Sequence, residues 1–158
     1  MMRRLVPPLF RTAHRLRLSW QRLRRPVTLG VRVLVRDGDG RVLLVRHSYV
    51  AGWHLPGGAV DRGESVLQAG ARELREEVGL EALPPLRLLS LHARLRPWAS
   101  DHVALVLVES WRGAVRVDGM EIVEAGFFDP AALPADTTPA TRRRLAEAAD
   151  GSGPAEHW

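Results

Sequence analysis

Apolar positions alternate with polar ones from Val27 to Arg36 and again from Arg41 to Arg46, with Asp37-Gly38-Asp39-Gly40 between them. A period of two marks strands, and the Asp/Gly cluster marks a turn, so this stretch predicts a hairpin. From Ser65 to Val78 the period lengthens: Val66, Ala69, Leu74 and Val78 supply the buried side of a helix that Gly79 is placed to end in a left-handed cap. Gly70 interrupts that helix at a cost of about 1 kcal/mol relative to alanine, which implies a close approach of helix to sheet. Arg87 to Arg96, His102 to Glu109 and Glu121 to Phe128 read as further strands, the second apolar enough to be central. Thr138-Pro139 opens a last helix through Arg142, Leu145 and Ala149, and Gly-Ser-Gly-Pro after Asp150 predicts a frayed tail, residues 151–158. This order implies an α/β chain with a mixed sheet and no internal repeat.

Ahead of these elements, Leu9, Ala13, Leu16, Trp20 and Leu23 recur at spacings of four, three, four and three, so residues 1–26 read as an amphipathic helical leader to a single domain at 27–150. Charge separates the two. Residues 1–36 hold ten arginines and no acid, whereas the remainder holds 13 arginines against 18 acids, so the net charge of +5 conceals an acidic body. The basic excess is confined to the leader and is no argument for a nucleic-acid binder. Residues 9–25 would suit an anionic membrane surface, an acidic partner or the chain's own body, with self-docking or a homodimer the favoured reading. A cytoplasmic location is expected, with membrane-surface association and organellar targeting left open by the Arg-rich start. The absence of cysteine excludes disulfides and thiolate metal sites.

The chemistry concentrates between Gly58 and Leu80. Glu73, Glu76 and Glu77 stand three and four residues apart, near one face of the helix, where like charges repel. A cation among them would remove the conflict, and oxygen-only ligands favour a hard ion such as Mg2+ or Mn2+. A solvated acidic face balanced by Arg72 and Arg75 is the plainer alternative. The whole segment, however, fills G-x5-E-x7-R-E-U-x-E-E-x-G-U without a departure, U being aliphatic, and Trp53 to Gly58 precede it as W-x-L-P-G-G. The segment resembles the Nudix box, and the chain is identified on it as a member of the Nudix hydrolase family.

That resemblance implies the Nudix fold, an α/β/α sandwich with a mixed sheet, and divalent-metal-dependent hydrolysis of the diphosphate linkage in nucleoside diphosphate derivatives. It implies metal ligation by Glu73, Glu76, Glu77 and the Gly58 carbonyl, one glutamate serving instead to activate water. Arg72 is expected to fix the glutamates, and Glu64 to stabilise the box or reach the metal through water. Arg46 is a candidate phosphate clamp, against an ordinary strand-end arginine. Of the downstream acids Glu109, Glu121 and Glu124, the last is preferred to complete the site. His54 and His102 read as structural, and Tyr49 and Trp98 as stacking or packing residues. Nucleotide sugars or ADP-ribose are favoured as substrates, ahead of oxidised nucleoside triphosphates and of a non-catalytic module sensing nucleotide or nucleic acid. A proline at 97 speaks weakly for ADP-ribose.

Because the box and the leader are separate in sequence, deletion of residues 1–25 is expected to leave metal-dependent hydrolysis largely intact. Light scattering or vesicle binding should change instead; a folded but inactive truncation would show that the leader helps build the site.

Overall fold

A computed structural model describes residues 27–96, 99–117, 119–151 and 153–158. The leader helix, Pro97 and Trp98 lie outside them. β1 (Val27–Val35) runs parallel to β6 (Ala99–Val108), which pairs antiparallel with β5 (Arg87–Arg96), giving a mixed sheet ordered β1-β6-β5. A second sheet, β3-β2-β8, joins β2 (Val42–His47) antiparallel to β3 (Trp53–His54) and β8 (Ile122–Phe128), and β4 (Glu81–Ala82) pairs with β7 (Trp111–Arg112).

Period-two alternation divides the core cleanly. Val31, Val33, Val35, Leu43, Val45, Val106 and Val108 face helix α1 (Val66–Val78) and join its Ala69, Leu74 and Val78. Leu34, Val42, Leu44, Leu105 and Leu107 point the other way and pack with Leu145 of helix α2 (Pro139–Asp150). Helices thus cover both faces, as in an α/β/α sandwich. Each begins on a side-chain cap: Ser65 and Gln68 form a reciprocal capping box for α1, and Thr138 caps α2 with Pro139 behind it. Gly79 ends α1 at φ 71°. At Gly70 a Cβ would stand 3.2 Å from Val33 Cγ2 and 3.6 Å from Val31 Cγ2, which is the close helix-to-sheet approach its position implied.

Two expectations fail. The hairpin across Asp37–Gly40 closes with a single bridge, Arg36 to Val42, after which β1 pairs with β6 and β2 with β8. Both strands are apolar on two faces, so each is satisfied only inside a covered sheet, and alternation does not name the partner. Nor is the end of the chain frayed. Ala93 N–H donates to Glu156 O at 2.8 Å and Trp158 N–H to Ala93 O at 3.0 Å, extending β5. Buried Arg144 of α2 reaches His157 O at 3.1 Å, and its guanidinium lies 5.4 Å from the Trp158 ring. These contacts outweigh the entropy of the Gly-Ser-Gly-Pro link.

The loop at residues 56–60 is laid along β1: Val33 N–H donates to Pro56 O at 2.8 Å, Val31 N–H to Gly58 O at 2.9 Å and Val60 N–H to Leu29 O at 2.8 Å. Gly57 sits in it at φ 133°, where a Cβ would come within 2.3 Å of Val31 O. Gly57→Ala should therefore lose at least about 2 kcal/mol of stability in urea unfolding, from forbidden φ and backbone collision together. Gly38→Ala, with nothing within 4 Å, should stay within about 0.5 kcal/mol of the parent. Equal midpoints would refute the loop geometry.

Candidate active site

α1 presents its carboxylates to the loop just described. Arg72 is the organiser. Its Nη2 donates to Glu64 Oε1 at 2.8 Å and to Ala59 O at 2.9 Å, and its Nη1 to Glu73 Oε1 at 2.8 Å and Glu76 Oε2 at 3.0 Å. One guanidinium thereby ties the loop to two turns of helix. Its hydrogen bonds, those to Glu64 foremost, raise its own pKa, and in return Arg72 holds Glu64 below the ordinary carboxylate value. Glu64 also accepts from Asp61 N–H at 2.7 Å, so it braces the loop.

Glu73, Glu76 and Glu77 meet Glu121 and Ile122 around a cavity of about 70 Å³. Glu77 is buried and accepts Gly57 N–H at 2.8 Å. Burial pushes its pKa up to about 7, against the lowering by that hydrogen bond and by Arg32, with Glu73 and Glu121 adding to the rise. Burial likewise raises Glu73. Gly58 is in contact with this group, since a Cβ there would lie 2.6 Å from Glu73 Oε1. Its carbonyl accepts from Val31 N–H, so the contribution the structure shows for it is space.

Arg46 and His47 end β2 on opposite faces. Arg46 turns from the carboxylates, bonding Asp136 Oδ2 at 2.9 Å and Glu124 Oε1 at 3.4 Å with its guanidinium 4.9 Å from the Trp53 ring. Glu124 is therefore a partner of Arg46 and does not join the cavity; Glu109 pairs with Arg36 and Arg87. The acid beside the box is Glu121. A register shift between Arg46 and His47 skips Val123, so Ile122 pairs with His47 and the following alternation reverses. His47 faces the carboxylates, its ring tilted against Tyr49 at 5.2 Å and edge-on to His54 at 5.5 Å. Burial, then Arg32 and His54, lowers its pKa. Tyr49 donates to Glu121 Oε1 at 3.0 Å, and His54 Nε2 lies 3.1 Å from Ala51 O.

Two further cavities open beside Arg32. One of about 220 Å³ is bounded by Gly58, Ala59 and His102, and another of about 410 Å³ by His54, Thr138 and Thr141; Arg32, Arg94 and Trp158 line both. Arg32, donating to Gly57 O and to Leu55 O at 3.4 Å, stands between them and the carboxylates. Burial lowers its pKa, with Glu77 the leading opposing influence. Sequence reasoning missed Arg32, Arg94 and Trp158. An arginine inside the apolar β1 was the available signal for the first; the others depend on long-range pairing.

A buried glutamate with a raised pKa, beside three more carboxylates and an imidazole, is a donor set that fits a divalent cation. Acidic side chains on a loop and helix against a covered mixed sheet are an arrangement that a metal-assisted hydrolase can use. The NUDIX domain family model matches residues 26–148. A Bacillus subtilis (strain 168) protein named as a candidate 8-oxo-dGTP diphosphatase is 32% identical over 129 residues, 79% of this chain and 82% of that one. The mouse 8-oxo-dGDP phosphatase NUDT18 is 28% identical over 120 residues, 72% of this chain but 36% of its own length. The crystal structure of a MutT NUDIX hydrolase from Burkholderia pseudomallei matches with a TM-score of 0.68 at 29% identity, covering 76% of this chain and 96% of that one. The chain belongs to the Nudix hydrolase family, whose enzymes generally use divalent cations such as Mg2+ or Mn2+. No helix among the described residues is long and apolar enough to cross a membrane.

In the metal-free protein, folded Glu77 holds its proton to about pH 7, whereas the unfolded carboxyl releases it near 4.5. Between those values the folded chain binds more protons, so this group's contribution makes stability fall as pH rises. Glu77→Gln keeps an acceptor for Gly57 and removes the titration. In chelator, the melting temperature of the parent relative to the variant should decline from pH 4.5 to 7 and then level; parallel curves would contradict the burial of this carboxylate.

Proposed function

We propose that the protein hydrolyses a phosphoanhydride bond of oxidised purine nucleoside triphosphates or diphosphates, with Glu73, Glu76, Glu77 and Glu121 holding Mg2+ or Mn2+. The observation that carries this reading is the carboxylate cavity joined through Arg32 and the 56–58 loop to a 410 Å³ cavity lined by cationic and hydroxyl donors. That volume lies in the range of small-molecule sites and is sufficient for a nucleoside. Oxidation of guanine at C8 adds a carbonyl acceptor, which Arg32 and Arg94 are equipped to recognise. The names of the two relatives support the same substrate class over the nucleotide sugars suggested by sequence.

When bound, the cation neutralises phosphate oxygens and acidifies water. The chain's own residues do the rest. Arg72 keeps Glu73 and Glu76 in place, and Gly57 N–H fixes the rotamer of Glu77. One of these carboxylates takes the proton that water loses as its oxygen attacks phosphorus. The anhydride P–O bond breaks, and a triphosphate leaves a nucleoside monophosphate and pyrophosphate. Arg32 and Arg94 place the nucleoside, while Trp158 offers an aromatic wall for its base.

A panel of 8-oxo-dGTP, dGTP, ADP-ribose and UDP-glucose with Mg2+ or Mn2+ tests this. The oxidised nucleotide should have kcat/KM at least about tenfold above dGTP, and chelation should abolish turnover. Trp158→Ala should raise KM about tenfold at nearly constant kcat, the mark of lost ground-state binding. Preferential cleavage of ADP-ribose or UDP-glucose would overturn the substrate class, and nucleotide binding without turnover would favour a sensing module.

A further inference from the structure

His47 is 8% exposed, and its Nδ1 is buried without a hydrogen-bond partner among the described residues. A buried polar nitrogen left unsatisfied costs free energy and calls for an explanation. One ring nitrogen of His47 and one carboxylate oxygen from each of Glu77 and Glu121 lie within 4.8 Å of one another. The three come from different parts of the chain, with Tyr49 in contact with both His47 and Glu121. His47 is set by its pairing with Ile122 and by the flanking rings of Tyr49 and His54. Glu121 is held through Tyr49 and by the hydrogen bond from Ser48 N–H to its carbonyl, and Glu77 by Gly57.

We propose that His47 is a nitrogen ligand to a divalent cation shared with Glu77 and Glu121, and that it tilts the site toward Mn2+ or Co2+ and away from Mg2+. The proposal rests on the reading that the box carboxylates hold a divalent ion. Ligand atoms on opposite sides of an ion, at about 2.1 Å each, stand about 4.2 Å apart, so a small inward movement closes the group on one ion. Oxygen donors alone suit Mg2+ and Mn2+ alike, whereas an imidazole raises affinity along the transition series and gives Mg2+ little. Ligation through a ring nitrogen gives a histidine buried beside two carboxylates a role that no hydrogen bond to its Nδ1 supplies among the described residues.

Mn2+ titrated into the full chain, followed by loss of the free-ion EPR signal, measures binding; pulsed EPR reads nitrogen at the bound ion without any variant. The parent should show the 14N coupling of a directly bound imidazole. His47→Gln should remove it and weaken Mn2+ binding about tenfold or more, while Mg2+ affinity, measured by competition, changes less than about threefold. His54→Gln should retain the coupling, and melting curves establish that both variants fold. Bound Mn2+ without nitrogen coupling, or coupling that survives in His47→Gln, overturns the role of His47 and leaves the carboxylate site standing. Failure of Mn2+ to bind at all overturns both.

Discussion

Gathering carboxylates on a single turn of helix is unfavourable unless positive charge is supplied, and Arg72 supplies the part that the chain itself provides. Its guanidinium contacts Glu64, Glu73, Glu76 and the Ala59 carbonyl, so electrostatic relief and loop anchoring are one interaction. Lysine would not substitute, because a point charge with three rotatable donors lacks the planar fork that spans these partners. Glu77 is left outside this arrangement. It relies on a backbone N–H and on the more distant Arg32, which is insufficient to offset burial, and its raised pKa records the deficit. The carboxylate that the protein neutralises least well is the one deepest in the cluster. Below about pH 7 its own proton neutralises it, and above that a cation is the remaining means.

The box helix, its cap and the outer strands were legible because they depend on local periodicity and on residues whose conformational needs are explicit, such as Gly79 and Thr138-Pro139. Gly70 was legible for a related reason: its cost to an isolated helix is fixed, so its presence implied a compensating contact. Partner choice was not legible. The turn at Asp37–Gly40 has hairpin chemistry, and Asp37 does accept Asp39 N–H and Arg41 N–H, yet the strands it joins belong to different sheets. The structure brings Glu121 rather than the preferred Glu124 beside the box carboxylates, and the difference turns on a single residue. A skipped position at Val123 changes which side chains of β8 share a face with β2, and no composition rule announces such a shift.

The C-terminal residues show the same limit from another side. Gly-Ser-Gly-Pro has the composition of a disordered end, but Trp158 and the carbonyls around it meet a buried arginine on α2 that has few other partners. Arg144 bonds Glu147 at 2.6 Å and His157 O at 3.1 Å, and its Nη1 lies 2.6 Å from His92 Nδ1. Burying that cation would be costly without the tail's carbonyls, so the tail and the arginine stabilise each other. The consequence reaches beyond stability, because the same docking puts an aromatic ring on the wall of the 410 Å³ cavity.

The two helix-covered faces of the sheet thus carry different parts of one task. On the α1 side lie the carboxylates and the imidazole; toward α2 lie Thr138, Thr141 and the indole of Trp158. β1 and the loop laid along it connect them, with Arg32 bonded to the loop carbonyls and Gly57 at the junction offering its N–H to Glu77 and its carbonyl to Arg32. A displacement of that loop would therefore move the deepest carboxylate and the buried arginine together. Gly57 is constrained by φ, by the proximity of Val31 O and by both hydrogen bonds. On the proposed reading that rigidity matters, because the distance between a nucleoside and the bond to be cleaved is set by the substrate. A loop free to shift by an ångström would keep either half of the site in register with its ligand but not both.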